Sequence, residues 1–151
     1  MTIKRFYSLV TVSLLALFWL SSTGAETVDD FVIIQLDDIE WDENLEEVQR
    51  KVIYGDPSQE GLYIMRVRFW PGGSSLPHHH SQDRFVTVIE GTWYAGTDAS
   101  HDMEKATAIP PGGFMIHPAG AVHYDGSRGG PVVVEIRGFG PVTTEYVDIV
   151  P

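Results

Sequence analysis

Short β-rich runs separated by glycine and proline are the feature of this 151-residue chain that most limits its fold. Turn signals such as Gly55-Asp56-Pro57, Pro71-Gly72-Gly73 and Pro110-Pro111-Gly112-Gly113 recur along it, with no internal repeat or linker between them. This spacing predicts an all-β sandwich or barrel of two sheets whose interior could hold a ligand. The predicted strands are Phe31–Leu36, Val48–Tyr54, Leu62–Trp70, Phe85–Glu90, Thr92–Ala95, Phe114–His117, Val132–Arg137 and Thr144–Ile149.

One segment allows a second interpretation. Asn44 and Glu47 have the spacing of a helix capping box, which favours a helix over Asn44–Lys51. Leu45 and Val48 provide only a narrow apolar stripe for such a helix, and the segment overlaps a predicted strand. Both interpretations stay open at this point.

The first 25 residues have the organisation of a secretory leader. Lys4 and Arg5 form a charged start, residues 6–20 an apolar run, and residues 21–25 a small-residue end suited to cleavage after Ala25. The run is shorter than the roughly 20 residues of a bilayer span, which favours cleavage over an uncleaved anchor. We therefore expect a leader over residues 1–25, one domain over residues 26–151, a periplasmic or secreted location and no stable membrane association.

Charge narrows the set of partners. Without Lys4 and Arg5, 8 basic residues face 21 acidic ones, a net charge of −13 with histidine neutral. Such a surface repels nucleic acid and anionic membranes, so we expect neither as a partner. Solubility explains the charge, and an acidic docking surface is the alternative. The residues that would form that surface are Asp37, Asp38, Glu40, Asp42, Glu43, Glu46 and Glu47.

Three histidines have a spacing that could bring them to one cavity. His78 and His80 alternate along an extended segment and therefore share a face, whereas His79 points to the other side. His123 follows the turn Pro118-Ala119-Gly120, which would direct its ring at the other two. Imidazole is the commonest side-chain ligand of transition metals, so the three side chains predict a metal or ligand site.

The chain resembles the cupin family at these residues. Gly72, His78, His80, position 84 and Gly91 have the spacing of the first cupin motif, and Gly112, Pro118, Gly120, His123 and position 127 that of the second. The resemblance implies a double-stranded β-helix, or jelly-roll barrel. It also implies a divalent metal (iron, zinc, manganese or nickel) bound by His78, His80 and His123, a small-molecule ligand and a homodimer.

Two positions depart from the family pattern. Arg84 stands where cupins usually place a glutamate ligand, and Ser127 replaces the usual asparagine. A guanidinium has no lone pair to donate to a metal, so Arg84 is expected to bind an anion instead, either a protein carboxylate such as Glu135 or a substrate carboxylate. Gln82 is expected to share the histidine face as a weak oxygen ligand.

Several side chains keep two interpretations. Glu135 and Arg137 share a strand face, which is either the inner face at the cavity or a solvated outer face. His117 is expected either to support a metal ligand or to pack in the core, and His101 to be solvated in a polar loop.

These residues favour a metal-binding cupin, and within that class an oxygenase-like, metal-dependent enzyme acting on a small anionic organic molecule oriented by Arg84. The first alternative is a non-catalytic binding module with a structural metal or none. The second is an acidic interaction domain.

Overall fold

A computed structural model describes residues 30–41 and 47–150 of the chain. The predicted leader over residues 1–25 lies outside these ranges, as does part of the acidic cluster, residues 42–46. Among the described residues, no helix combines the length and apolar character needed to cross a membrane.

The described residues form ten strands and one short 3-10 helix, and the all-β prediction is confirmed. In chain order they are β1 (Val48–Tyr54), β2 (Gly61–Phe69), β3 (His78–His80), β4 (Arg84–Glu90), β5 (Trp93–Gly96), β6 (Thr107–Ile109), β7 (Phe114–His117), β8 (Tyr124–Gly126), β9 (Val132–Gly140) and β10 (Thr144–Tyr146). Val48–Tyr54 is a strand, so the helix considered over Asn44–Lys51 is wrong for Val48–Lys51. Residues 44–46 of that predicted helix lie outside the described residues.

The strands form a five-stranded sheet and two smaller ones. The larger sheet has the order β1-β2-β9-β4-β7, and the smaller ones are β10-β3 and β6-β5-β8. Two isolated bridges, Ser74 with Gly126 and His78 with His123, connect β3 and its approach to β8. The smaller sheets thereby form the second wall of a jelly-roll barrel, and alternate side chains of both walls point inward.

An apolar core fills much of the barrel. Its fully buried members come from strands of both walls, as the period-2 pattern of these strands requires. They are Tyr63, Met65, Val67, Phe69, Val86, Val88, Trp93, Ala95, Val132, Val134 and Ile136. One region of the interior is polar instead, and it contains the predicted histidines.

The strand predicted over Phe31–Leu36 is wrong. Residues 31–35 have no regular structure and Leu36–Asp38 form a 3-10 helix. Phe31 and Ile33 are 94% and 76% exposed, so no sheet face covers them. The run has strand-forming composition, but β1, the next strand along the chain, pairs only with β2, and composition without a paired face does not make a strand.

Gly138 leaves room for two large inward side chains. On the central strand β9 it lies in register between Tyr63 of β2 and Arg84 of β4. A Cβ at Gly138 would lie 2.6 Å from the Tyr63 hydroxyl oxygen and 2.8 Å from its Cζ. Because Tyr63 is 0% exposed, its ring has no free space into which to move.

We therefore expect Gly138→Ala to lower the free energy of unfolding by about 1–3 kcal/mol through overpacking. Urea denaturation measures this change. Gly129→Ala is the matched control, because no atom lies within 4 Å of a Cβ there. Equal stability of the two variants would contradict the prediction.

Candidate metal centre

The barrel brings the three predicted histidines together. His78 and His80 point inward from β3 and are 6% and 3% exposed, and His123 is 3% exposed. Reciprocal backbone hydrogen bonds of 2.9 Å join His78 and His123, from the nitrogen of each to the oxygen of the other. One ligand atom from each of the three lies within 4.8 Å of the others.

The turn before His123 is built as the sequence predicts. The amide of Ala121 donates to the Pro118 carbonyl at 3.0 Å, closing the turn. Gly120 has a φ of 75°, which glycine adopts without a steric penalty. Its amide donates to the carbonyl oxygen of His80 at 2.8 Å. The turn is therefore tied directly to the strand that holds the other two histidines.

Backbone carbonyls orient two of the rings. His78 Nδ1 lies 2.7 Å from the Leu76 oxygen, and His123 Nδ1 lies 3.0 Å from the Ala121 oxygen. A carbonyl can only accept, so each Nδ1 carries the proton and each Nε2 keeps its lone pair. The buried Nε2 of His123 has no hydrogen-bond partner in the described part of the chain. Metal-binding histidines are commonly held in this way.

His80 has a different partner at its second nitrogen. Its Nδ1 lies 3.0 Å from the Thr144 hydroxyl. Nη1 of Arg84 lies 2.6 Å from His80 Nε2 and 3.3 Å from His80 Nδ1, so the guanidinium lies against the imidazole ring. An ion bound at Nε2 would therefore have this buried cation as its neighbour.

Arg84 is a buried cation without a carboxylate partner. It is 9% exposed, its Nη2 reaches only the Met65 sulfur at 3.5 Å, and its Nε has no partner among the described residues. The expected alternative, an ion pair with Glu135, is wrong. Glu135 lies on the other face of the sheet and pairs with Arg66 at 3.2 Å and Arg137 at 2.5 Å.

The histidines surround a small polar cavity of about 20 Å³. That volume holds a water-sized species rather than a whole organic molecule. Arg50, an exposed residue of β1, also lines it, and Asp125 is its one carboxylate among the lining residues described. The backbone amide of Asp125 donates to the Ser75 hydroxyl at 3.1 Å, and that hydroxyl donates to the Asp125 carboxylate. The full lining comprises Arg50, Val67, Phe69, Ser75, His78, His80, Arg84, His117, His123, Asp125 and Ile136.

His117 is a fourth histidine of this cavity, and the sequence analysis did not choose between its two roles. It lies directly opposite Arg84 on β7 and is 2% exposed. Its ring centroid is 3.7 Å from that of His123, and neither ring nitrogen has a hydrogen-bond partner among the described residues. In the sequence, only the alternation of side chains along the predicted strand Phe114–His117 could have indicated that His117 points inward.

The buried histidines are held neutral. Burial lowers the pKa of His80 to about 2, with the positive charge of Arg84 as the second cause. Burial also lowers the pKa of His78 and of His123. For His117, burial and the neighbouring His123 lower the pKa strongly. Neutral imidazoles are the form that binds a metal ion.

Stability should therefore fall in mild acid. Unfolded histidines take up a proton near pH 6.5, whereas the folded barrel holds these four neutral, so below that pH the unfolded state binds more protons. His80 alone removes up to about 1.4 kcal/mol of unfolding free energy per pH unit between pH 6.5 and its lowered pKa of about 2, and the other three histidines act in the same direction. Urea midpoints measured from pH 7.5 to 5.5 test this prediction, and the midpoint of His80→Asn should fall less steeply with pH than that of wild type. An equal dependence of the midpoint on pH in both proteins would contradict the prediction.

Three other predicted positions lie outside the cavity. His79 points outward as predicted, with its Nε2 3.7 Å from Glu145. Gln82 is exposed in the turn after β3, so its expected role as an oxygen ligand is wrong. The strand ends before Gln82, and alternation therefore no longer directs its side chain. His101 is half-buried rather than solvated, and its Nε2 lies 3.1 Å from the Ser74 hydroxyl.

A comparison with protein families agrees with this geometry. A family model described as Cupin matches residues 54–149, which is well over half of the chain. The chain belongs to the cupin family. The match includes both motifs and all four histidines of the cavity of this cupin.

The similarity to known proteins supports the barrel fold and does not establish its chemistry. Germin-like protein subfamily 1 member 7 of Arabidopsis thaliana is 29% identical over 97 residues, which cover 60% of this cupin and 42% of that protein. KdgF from Halomonas sp. matches with a TM-score of 0.55 and 19% identity, over 72% of this cupin and 95% of that chain. The polyketide cyclase RemF from Streptomyces resistomycificus matches with a TM-score of 0.59 and 16% identity, over 79% and 88%.

The chain spans less than half the length of the curated relatives it matches. At the identities of the solved structures, the likeness establishes the fold alone.

Proposed function

We propose that this cupin binds a divalent transition metal through His78, His80 and His123 and acts on a small anionic organic molecule. The observation that carries the proposal is the pair of backbone hydrogen bonds that hold Nδ1 of His78 and His123. These bonds leave two Nε2 lone pairs facing one buried cavity, a donor set suited to zinc, iron, manganese or nickel. A bound ion would supply Lewis-acid or oxidative chemistry there.

Arg84 supports the anionic character of the ligand. Its guanidinium lines the cavity and has an unpartnered Nε, and a buried charge in that condition is costly unless an anion joins it. A carboxylate matches the planar fork of a guanidinium. Arg84 would hold the carboxylate of the substrate in place, because the histidines around it are neutral and Asp125, the one carboxylate among the lining residues described, forms no ion pair with it.

A non-catalytic binding module is the second candidate, and one contact favours it. The guanidinium of Arg84 lies 2.6 Å from Nε2 of His80, one of the three ligand atoms, and places a positive charge beside it. In a module of this kind the cavity would recognise an anion without turnover, with a metal that only stabilises the barrel or with none. The structural neighbour RemF is named as a polyketide cyclase, which is an argument for the enzymatic alternative by fold analogy alone.

Elemental analysis of the purified protein tests the proposal. We expect about one transition-metal ion per chain, and a higher melting temperature with the ion than after chelation. Absence of metal after reconstitution with zinc, iron, manganese and nickel would overturn the proposal in favour of a metal-free module. If the metal is present, product formation or oxygen consumption with small carboxylic acids would distinguish an enzyme from a module with a structural metal.

Export of the chain after cleavage at residue 25 and pairing of two chains stay predictions. N-terminal sequencing of the exported protein and light scattering of its solution measure them. The acidic interaction surface has no further support from the described residues.

A further inference from the structure

We infer that a divalent ion and a small carboxylate bind in this cavity as a linked pair, each raising the affinity for the other, because Arg84 exchanges His80 for the carboxylate. The inference rests on the proposed metal site. It adds the place of the carboxylate beside the ion and the coupling between the two ligands.

The first step is the competition at His80. Nη1 of Arg84 lies 2.6 Å from the Nε2 atom and 3.3 Å from Nδ1 of the same ring. Thr144 holds Nδ1, so the ring cannot present that nitrogen to the cavity without losing the bond. An ion bound at Nε2 would lie beside a buried guanidinium, whose positive charge opposes the ion unless Arg84 withdraws.

The second step concerns the displaced guanidinium. It is 9% exposed, and among the described residues its Nη2 donates to the Met65 sulfur. No carboxylate of the described residues lies within ion-pair distance of it. Asp125, the carboxylate that lines the cavity, already forms a short hydrogen bond with the Ser75 hydroxyl. Releasing Arg84 from His80 thus leaves a buried cation with fewer partners than before, which is unfavourable.

The third step is the charge of the cavity. Arg50 and Arg84 contribute two positive charges and Asp125 one negative charge, and the histidines are neutral. A divalent ion adds two more positive charges in a buried site, where they repel Arg84 strongly. A carboxylate supplies negative charge to both the ion and the guanidinium, and its two oxygens match two N–H groups of Arg84.

The size of the cavity limits the carboxylate. A volume of about 20 Å³ has room for the smallest carboxylates only after Arg84 withdraws. Formate, which has a single carbon, is therefore the probe that fits with the least rearrangement. A larger acid would have to extend from the cavity past Arg50 at its exposed side.

The two ligands must affect each other's affinity equally, because their binding free energies are linked. If formate raises zinc affinity by some factor, zinc must raise formate affinity by the same factor. Couplings between sites are typically about 5- to 150-fold, and we expect about tenfold here. The coupling resides in Arg84, so a variant without the guanidinium should lose it.

Calorimetric titration of the full, metal-free protein with zinc tests the inference. The titration is run in sodium formate and in sodium chloride of equal ionic strength, with wild type, Arg84→Met and Arg50→Met. We expect formate to tighten zinc binding about tenfold in wild type and in Arg50→Met. In Arg84→Met we expect tight zinc binding in both salts and no effect of formate. The reciprocal titration with formate, with and without zinc, should give the same factor.

Arg50→Met is the matched control, because it removes the same charge from the same cavity without changing the bond to His80. Circular dichroism confirms folding of each variant, and Arg84→Gln replaces Arg84→Met if the latter does not fold. Equal zinc affinity in both salts for wild type, or a formate effect that persists without Arg84, overturns the inference while leaving the metal site intact. Absence of zinc binding in every protein overturns the proposed function itself.

Discussion

Replacement of His123 by alanine is expected to remove the metal from this cupin. His123 contributes a buried Nε2 with no other partner among the described residues, and it is joined by backbone hydrogen bonds to His78. Loss of groups that merely support a metal ligand typically costs 10- to 100-fold in affinity. Loss of the ligand itself should therefore weaken binding by more than about 100-fold, measured by metal content and by competition with a chelator.

His79→Ala is the control for this experiment. It removes a histidine from the same run, but its side chain points away from the cavity and lies near Glu145. We expect its metal content to equal that of wild type. Undiminished metal in His123→Ala, or an equal loss in both variants, would reject the proposed ligand set.

Exchange of Arg84 for glutamate is expected to increase the affinity of the site for a metal ion. It releases His80 Nε2 from the 2.6 Å bond, removes a buried positive charge and introduces a carboxylate at the position where the cupin pattern has one. Two unit charges about 4 Å apart interact by about 4 kcal/mol at an effective dielectric constant of 20. We therefore expect metal affinity to increase by about 100-fold or more.

Competition titration with a fluorescent chelator measures this increase. Arg84→Met should be intermediate, because it frees His80 and removes the charge without adding a ligand. A metal affinity of Arg84→Glu no higher than that of wild type would show that Arg84 does not compete with the ion. That outcome would favour the metal-free binding module.

Local patterns predicted most of the sheet. β1 and β7 have the predicted bounds, and five other strands were predicted to within a few residues at each end. The three-residue strands Thr107–Ile109 and Tyr124–Gly126 were missed, because so few residues do not establish an alternating pattern. The false strand at Phe31–Leu36 shows the opposite error, in which an apolar run has no sheet face to occupy.

The positions of the candidate site residues were likewise predicted in part. Alternation along an extended segment placed His78 and His80 inward and His79 outward, and the turn at Pro118–Gly120 directed His123 toward them. The prediction for Gln82 was wrong because the strand ends before this residue. The partner of Arg84 could not be predicted, because Glu135 and Arg84 lie on opposite faces of the sheet and only the strand register reveals this.

The all-β class and the shared face of His78 and His80 were predictable from the amino-acid sequence, because they follow from periods of two and from turns only a few residues long; the cupin family followed from its resemblance to two motifs. The contact of Arg84 with His80, the position of His117 in the cavity and the identity of Asp125 as its carboxylate became visible only in the folded barrel. These contacts join β3, β4, β7 and β8 across the barrel. They depend on register and on the approach of two sheets, which no local pattern of residues encodes.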